Sequence, residues 1–131
     1  MSDHLHPVDA ERVTAVRSDG LGSEEALAMA GLLTLLADPL RSRILSALLV
    51  TDEVCVGDLA LALDANEDAV SYALRLLRTA GLVRRRREGR MGYYRLPDGH
   101  SREALQACLE QLRSLTALHP KASADDADDD R

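Results

Sequence analysis

The chain has 131 residues, no Trp, no Phe, three Tyr and two cysteines. That length fits one domain with loose ends, and two thiols are too few for a disulfide-stapled scaffold, which points to a reducing compartment. The net charge of −6 argues on average against a polyanionic partner, but the charge is unevenly placed.

Met1 to Gly22 reads as a flexible arm, with Pro7, Ser18, Gly20 and Gly22 and no sustained periodicity; it lacks the apolar centre of a secretory leader. Ser23 is expected to open and cap a helix, with Glu24 and Glu25 in its first turn and Leu27, Ala30, Leu33 and Thr34 on one face. The most apolar stretch, Ala26 to Ala37, is too short to span a bilayer, so a soluble cytoplasmic protein with no membrane partner is expected.

Asp38-Pro39 is a helix start, a capping carboxylate followed by Pro at the first helical position, and Ile44, Leu45, Leu48 and Leu49 form its apolar stripe. Cys55 to Leu63 predicts a short helix with Leu59, Ala60 and Leu63 inward. Asp64-Ala65-Asn66 is a tight connection, and Asn66 caps a third helix to about Ala80 with Val70, Leu74 and Leu77 buried. Gly81 ends that helix as a left-handed cap.

The period then changes to two. Leu82 to Arg87 and Gly92 to Leu96 flank a Gly-containing turn and predict a β-hairpin. A last helix carries Leu105, Cys108, Leu109, Leu112 and Leu115 on one face and ends near Leu118, and Asp98 suits its cap. The expected division is an arm over 1–22, a domain over 23–118 and a disordered acidic tail over 119–131.

From Leu82 to Leu96 six Arg stand against one Glu, whereas five Asp crowd Lys121 to Arg131. Positive charge focused in one segment is what a phosphate backbone responds to. Two short helices, a tight turn, a capped helix and an Arg-rich hairpin make a mainly α fold with a small β-hairpin: a winged helix-turn-helix, expected as a dimer because an aromatic-poor core of this size is commonly completed by a second copy. The second motif helix would face base edges with Asn66, Asp68, Ser71, Tyr72, Arg75 and Arg78, and Arg85, Arg87 and Arg90 on the wing would meet phosphates or the minor groove. The expected partner is double-stranded operator DNA. No Gly-rich phosphate loop and no catalytic triad or paired carboxylates at usable spacing are present, so an enzyme is not expected.

Glu53-Val-Cys-Val-Gly-Asp-Leu-Ala60, Ala69-Val-Ser-Tyr-Ala-Leu-Arg75, Gly81-Leu-Val and Glu88-Gly-Arg-Met-Gly-Tyr-Tyr-Arg95 closely resemble the ArsR/SmtB repressors, as does Leu36-Ala-Asp-Pro-Leu-Arg-Ser-Arg-Ile-Leu45. The resemblance covers roughly Glu24 to Leu118 and is nearest the zinc- and cadmium-responsive branch. It implies a homodimer built on the first and last helices and repression relieved by an inducer, often a metal ion. The chain departs from the family in its acidic recognition-helix start, Glu67-Asp68, and at Tyr72 and Ala73, where the family carries His followed by Gln or His.

The resemblance further implies where an inducer binds. Cys55 and Asp58, three apart and so expected on one helix face, match one site, and His4 and His6 on the partner's arm are its expected remaining ligands. Two imidazoles, a thiolate and a carboxylate suit Zn(II) or a similar divalent ion. The second choice is the last helix, where Asp98 and His100 match two ligands, but Gln111 and Ser114 stand where the second pair belongs. Three alternatives stay open: a redox switch between Cys55 and Cys108, a constitutive regulator, and a winged-helix module that binds protein.

Overall fold

The computed structural model describes residues 6–118, which divide between Ala37 and Asp38 into two compact units. His4 and the acidic stretch from Lys121 to Arg131 lie outside the described residues.

The first unit holds α1 (Ala10–Asp19) and α2 (Ser23–Leu36). Helix α1 corrects the expectation of an unstructured arm. Asp9 caps it, its side chain accepting from the Arg12 N–H, and Glu11 sits in the first turn. Periodicity gave no sign of it because the helix has no buried residue. Capping and propensity mark it instead. In α2 the cap is Gly22, in extended backbone, and Ser23 is already the first helical residue with no side-chain cap bond. The helix starts one residue earlier than expected, so the Ser23 hydroxyl lies past the position from which it could reach the free N–H groups.

The second unit begins with α3 (Pro39–Val50). Asp38 Oδ2 accepts from the Arg41 N–H at 3.0 Å, and Ile44, Leu45 and Leu48 are buried. A short strand β1 (Val54–Cys55) follows, then α4 (Val56–Leu63) and α5 (Glu67–Thr79). Three residues connect α4 to α5, with Asp64 in the left-handed region at φ 52°. Asn66 Oδ1 accepts from the Ala69 N–H at 3.0 Å and fixes the start of α5. Its end is a Schellman closure: Gly81 takes φ +83°, the Leu82 N–H reaches the Leu77 carbonyl, and the Gly81 N–H reaches that of Arg78.

The hairpin is β2 (Arg84–Glu88) and β3 (Met91–Arg95), joined by Gly89 and Arg90, with Gly89 at φ +63°. All pairings are antiparallel, in the order β1-β3-β2. Cys55 therefore pairs with Tyr93 as the end of a strand and is the N-cap of α4, which corrects the expectation that it shares a helix face with Asp58. Val54 and Cys55 add a two-residue edge to the hairpin before the helix begins at Val56. The core is mostly aliphatic, drawn from α3, α4, α5 and the hairpin and its flanks, with Leu45, Leu59, Leu74, Leu77, Val83 and Leu96 among its members and Tyr94 its aromatic one.

Helix α6 (His100–Leu118) closes the chain as described. Arg102 Nη2 donates to the Leu49 carbonyl at 3.2 Å and ties α6 to α3. Asp98 does not cap it: Asp98 Oδ1 accepts from Arg95 Nη2 at 2.5 Å, and Gly99, at φ +85°, separates it from the first turn. None of α6 is buried, and Leu112, Leu115 and Leu118 stand exposed. No helix among the described residues is long and apolar enough to cross a membrane.

Candidate nucleic-acid interface

Helix α5 is strongly two-sided. Val70, Ala73, Leu74 and Leu77 are buried, while Asp68, Ser71, Tyr72, Arg75 and Arg78 are exposed. The Arg75 guanidinium lies 5.3 Å from the Tyr72 ring centroid, one helical turn away, which restrains both side chains on the outward face. The acids Glu67 and Asp68 occupy the first turn, where they complement the helix dipole.

Every residue of β2 is exposed. Among the described residues Arg84, Arg85, Arg87 and Arg90 make no ion pair, whereas Arg86 binds Glu53 and Glu88, and Arg95 binds Asp98. Hydrogen bonding from Arg86 holds the Glu53 carboxyl below its ordinary value, and Glu53 and Glu88 raise Arg86 further above the usual arginine range. The hairpin therefore presents four uncompensated guanidinium groups beside the capped start of α5.

Between α5 and the hairpin runs an open groove of about 480 Å³, where Cys55, Asp58, Glu67, Ser71, Arg85 and Arg90 all meet. It brings together one candidate metal pair, Cys55 with Asp58, and three of the candidate DNA contacts. Cys55 is only 8% exposed and Asp58 is open to solvent. Among the described residues no three of His, Cys, Asp and Glu gather as a metal cluster. One chain thus offers two donors of a chemistry that fits zinc, short of the four that a closed tetrahedral site takes. His6 belongs to the first unit and is exposed. The second-choice pair is weaker still, because Arg95 already holds Asp98 while His100 begins α6.

The run Arg84 to Arg90 marks Arg86 as a wing arginine, but sequence reasoning missed its pairing with Glu53. The two stand 33 residues apart, and only the sheet register brings them together. The alternation of β2 does signal that Arg86 and Arg85 face opposite ways.

A helix-turn-helix followed by a basic hairpin, packed on an aliphatic core, defines a winged-helix DNA-binding regulator. Residues 38–85 match the description "Bacterial regulatory protein, arsR family". The chain is 45% identical over 93 residues to a transcriptional repressor SmtB homolog of Synechocystis, covering 71% of this chain and 70% of that one. It is 48% identical over 98 residues to the HTH-type transcriptional regulator CmtR of Mycobacterium tuberculosis, covering 74% and 80%. Among solved structures it is similar to the AntR antimony-specific transcriptional repressor, with a TM-score of 0.63 and 29% identity over 88% of this chain and 99% of that one. The chain belongs to the arsR family of bacterial regulatory proteins, and it is a regulator of transcription rather than an enzyme.

Proposed function

We propose that the chain is a cytoplasmic, metal-responsive repressor that binds operator DNA as a homodimer and leaves it when a divalent metal ion binds. The observation that carries the DNA reading is the pairing of an outward, capped α5 with four unpaired arginines on the adjoining hairpin. Helix α5 enters the major groove, where Asn66, Asp68, Ser71, Tyr72, Arg75 and Arg78 meet base edges and flanking backbone. Arg85, Arg87 and Arg90 lie along phosphates.

The dimer follows from unfinished apolar surface. Leu27, Met29, Leu32 and Leu33 on α2 are exposed, as are Leu112, Leu115 and Leu118 on α6. Long helices with such faces are ordinarily covered by a partner. Sedimentation at micromolar concentration should give the dimer mass, and a monomer there removes the reading.

The inducer reading is supported by the Cys55–Asp58 pair in the groove and by the similarity to an antimony-specific repressor. Cys55 and Asp58 would supply thiolate and carboxylate, and His4 and His6 from the arm of the partner protomer would be the remaining ligands for Zn(II) or a similar ion. When bound, the ion supplies a cross-link between arm and motif. Coupling of about 1–3 kcal/mol would lower operator affinity about 5- to 150-fold. Co(II) tests this directly: thiolate ligation gives a near-ultraviolet charge-transfer band, and Cys55→Ser should remove the band and the metal-induced release while leaving metal-free DNA binding intact. Release at unchanged metal concentration in Cys55→Ser places the site elsewhere, with Asp98 and His100 next.

A further inference from the structure

The five residues of β2 divide by register into two faces. Arg84, Arg86 and Glu88 stand opposite Arg95, Tyr93 and Met91, and Arg85 and Arg87 stand opposite Tyr94 and Gly92. On the second face Arg85 lies across the strand. Its Nε is 2.9 Å from where a Cβ on Gly92 would be, and its guanidinium is 6.0 Å from the Tyr94 ring centroid.

Arg86 is held quite differently. Its Nη2 donates to Glu53 Oε1 at 2.5 Å and its Nε donates to Glu53 Oε2 at 3.3 Å, a two-pronged grip on one carboxylate. Its Nη1 donates to Glu88 Oε1 at 2.6 Å, and its guanidinium sits 4.9 Å from the Tyr93 ring centroid. All three nitrogens are engaged, and two carboxylates flank one cation, so a phosphate approaching Arg86 would meet net negative charge. Glu53 lies in the short connection between α3 and β1, outside the hairpin. The pair therefore spans from the body of the domain to the basic strand.

We propose that Glu53 and Arg86 form a latch that sets the angle of the hairpin against the helix-turn-helix, making Arg86 a positioning residue while Arg84, Arg85, Arg87 and Arg90 carry the phosphate contacts. The proposal rests on the reading of α5 and the hairpin as the DNA interface. It has an unusual consequence: an acid beside the DNA-facing strand favours DNA binding. Removing Glu53 subtracts negative charge from that side, which by electrostatics alone would tighten binding. Loosening the hairpin works the other way, because four arginines must meet fixed phosphates together.

The experiment uses the full chain and a labelled duplex selected by the wild-type protein from a randomised library, read by anisotropy across a salt series. Glu53→Gln should weaken binding several-fold with the slope of log affinity against log salt unchanged. Arg86→Lys keeps the charge but loses the two-pronged geometry, and should weaken binding as much. The exchanged pair Glu53→Arg with Arg86→Glu should recover most of the loss. Without DNA, amide hydrogen exchange along β2 and β3 should quicken in Glu53→Gln and return to the wild-type rate in the exchanged pair. Tighter binding by Glu53→Gln, or a slope shallower by about 0.9 in Arg86→Gln, marks Arg86 as a phosphate contact and overturns the latch. Unchanged exchange in Glu53→Gln overturns it independently of DNA. Failure of the wild-type protein to select any duplex overturns the DNA reading instead, and leaves the exchange measurement to decide the latch.

Discussion

On the proposed reading helix α5 and strand β2 are the two surfaces that face DNA, and they are held in place by different forces. Four side chains of α5 are buried and none of β2 is. The helix is positioned by packing, which is short-ranged, indifferent to salt and intolerant of lost volume. The strand is positioned by its backbone ladder and by charge, and its own uncompensated charge is also what it presents. The difference teaches a division of labour: a rigid element suits discrimination between bases, and an exposed cationic element suits attraction that ignores sequence.

Core truncation should separate the two most sharply. Leu74 is fully buried on α5, so Leu74→Ala should cost about 2–5 kcal/mol of unfolding free energy in urea titrations. Arg87→Ala on β2 should stay within about 0.5 kcal/mol, since its side chain is exposed and makes no ion pair among the described residues. Comparable losses at both positions would show that the hairpin carries hidden packing and would erase the contrast.

DNA binding should reverse the ranking. Arg87→Ala with Arg90→Ala should weaken selected and random duplexes alike and flatten the salt slope by about 0.9 for each phosphate that is no longer neutralised. Ser71→Ala or Arg75→Ala should instead cost about 1–3 kcal/mol at particular base pairs and little on random DNA. Equal losses on both duplexes for the α5 variants would remove the discrimination role from that helix.

A smaller effect is expected at the start of α5. Asn66 Oδ1 satisfies the Ala69 N–H, and Asn66→Ala should cost about 1 kcal/mol of stability, measured by denaturant unfolding. The capping bond engages Oδ1 and leaves the amide nitrogen to donate, so a loss of affinity larger than the loss of stability would mean that the Asn66 side chain also contacts DNA.

The elements that were legible in the sequence are those whose signals are local. Asp38-Pro39, Asn66 and Gly81 announce helix ends through their own chemistry, and α5 shows its period plainly because one face is buried. Helix α1 was missed because no side chain in it is buried, so periodicity had nothing to register. The strand Val54–Cys55 was missed because two residues show no alternation; it exists only through its pairing with Tyr94 and Tyr93. The candidate interface was legible for the same reason as α5: a capped helix followed by a run of arginines is a local pattern. Which of those arginines are free was not. Glu53 neutralises Arg86 and Asp98 neutralises Arg95 through contacts that depend on the folded sheet and the turn after it.

The smallest expected effect is the pH dependence of the hairpin's anchor, and its sign is fixed. The Arg86 hydrogen bond lowers the Glu53 carboxyl from its ordinary 4.5, with Arg95 adding to the pull. A carboxyl lowered by folding contributes stability above its unfolded value and loses it as pH falls through the lowered one. Arg86 stays charged throughout, being raised rather than lowered. Glu88 shares the same guanidinium and Asp52 lines the same hollow as Glu53, so the wild-type curve carries a background from neighbouring charges. Comparing wild type with Glu53→Gln removes that background to first order. The stability difference should be flat from neutral pH down to about 4.5 and then shrink toward zero on further acidification, because protonated Glu53 resembles Gln in charge and shape. Partial exposure of both partners keeps the difference small, and salt should reduce it further. A difference that persists undiminished in acid would mean that Glu53 anchors the hairpin by shape rather than by charge.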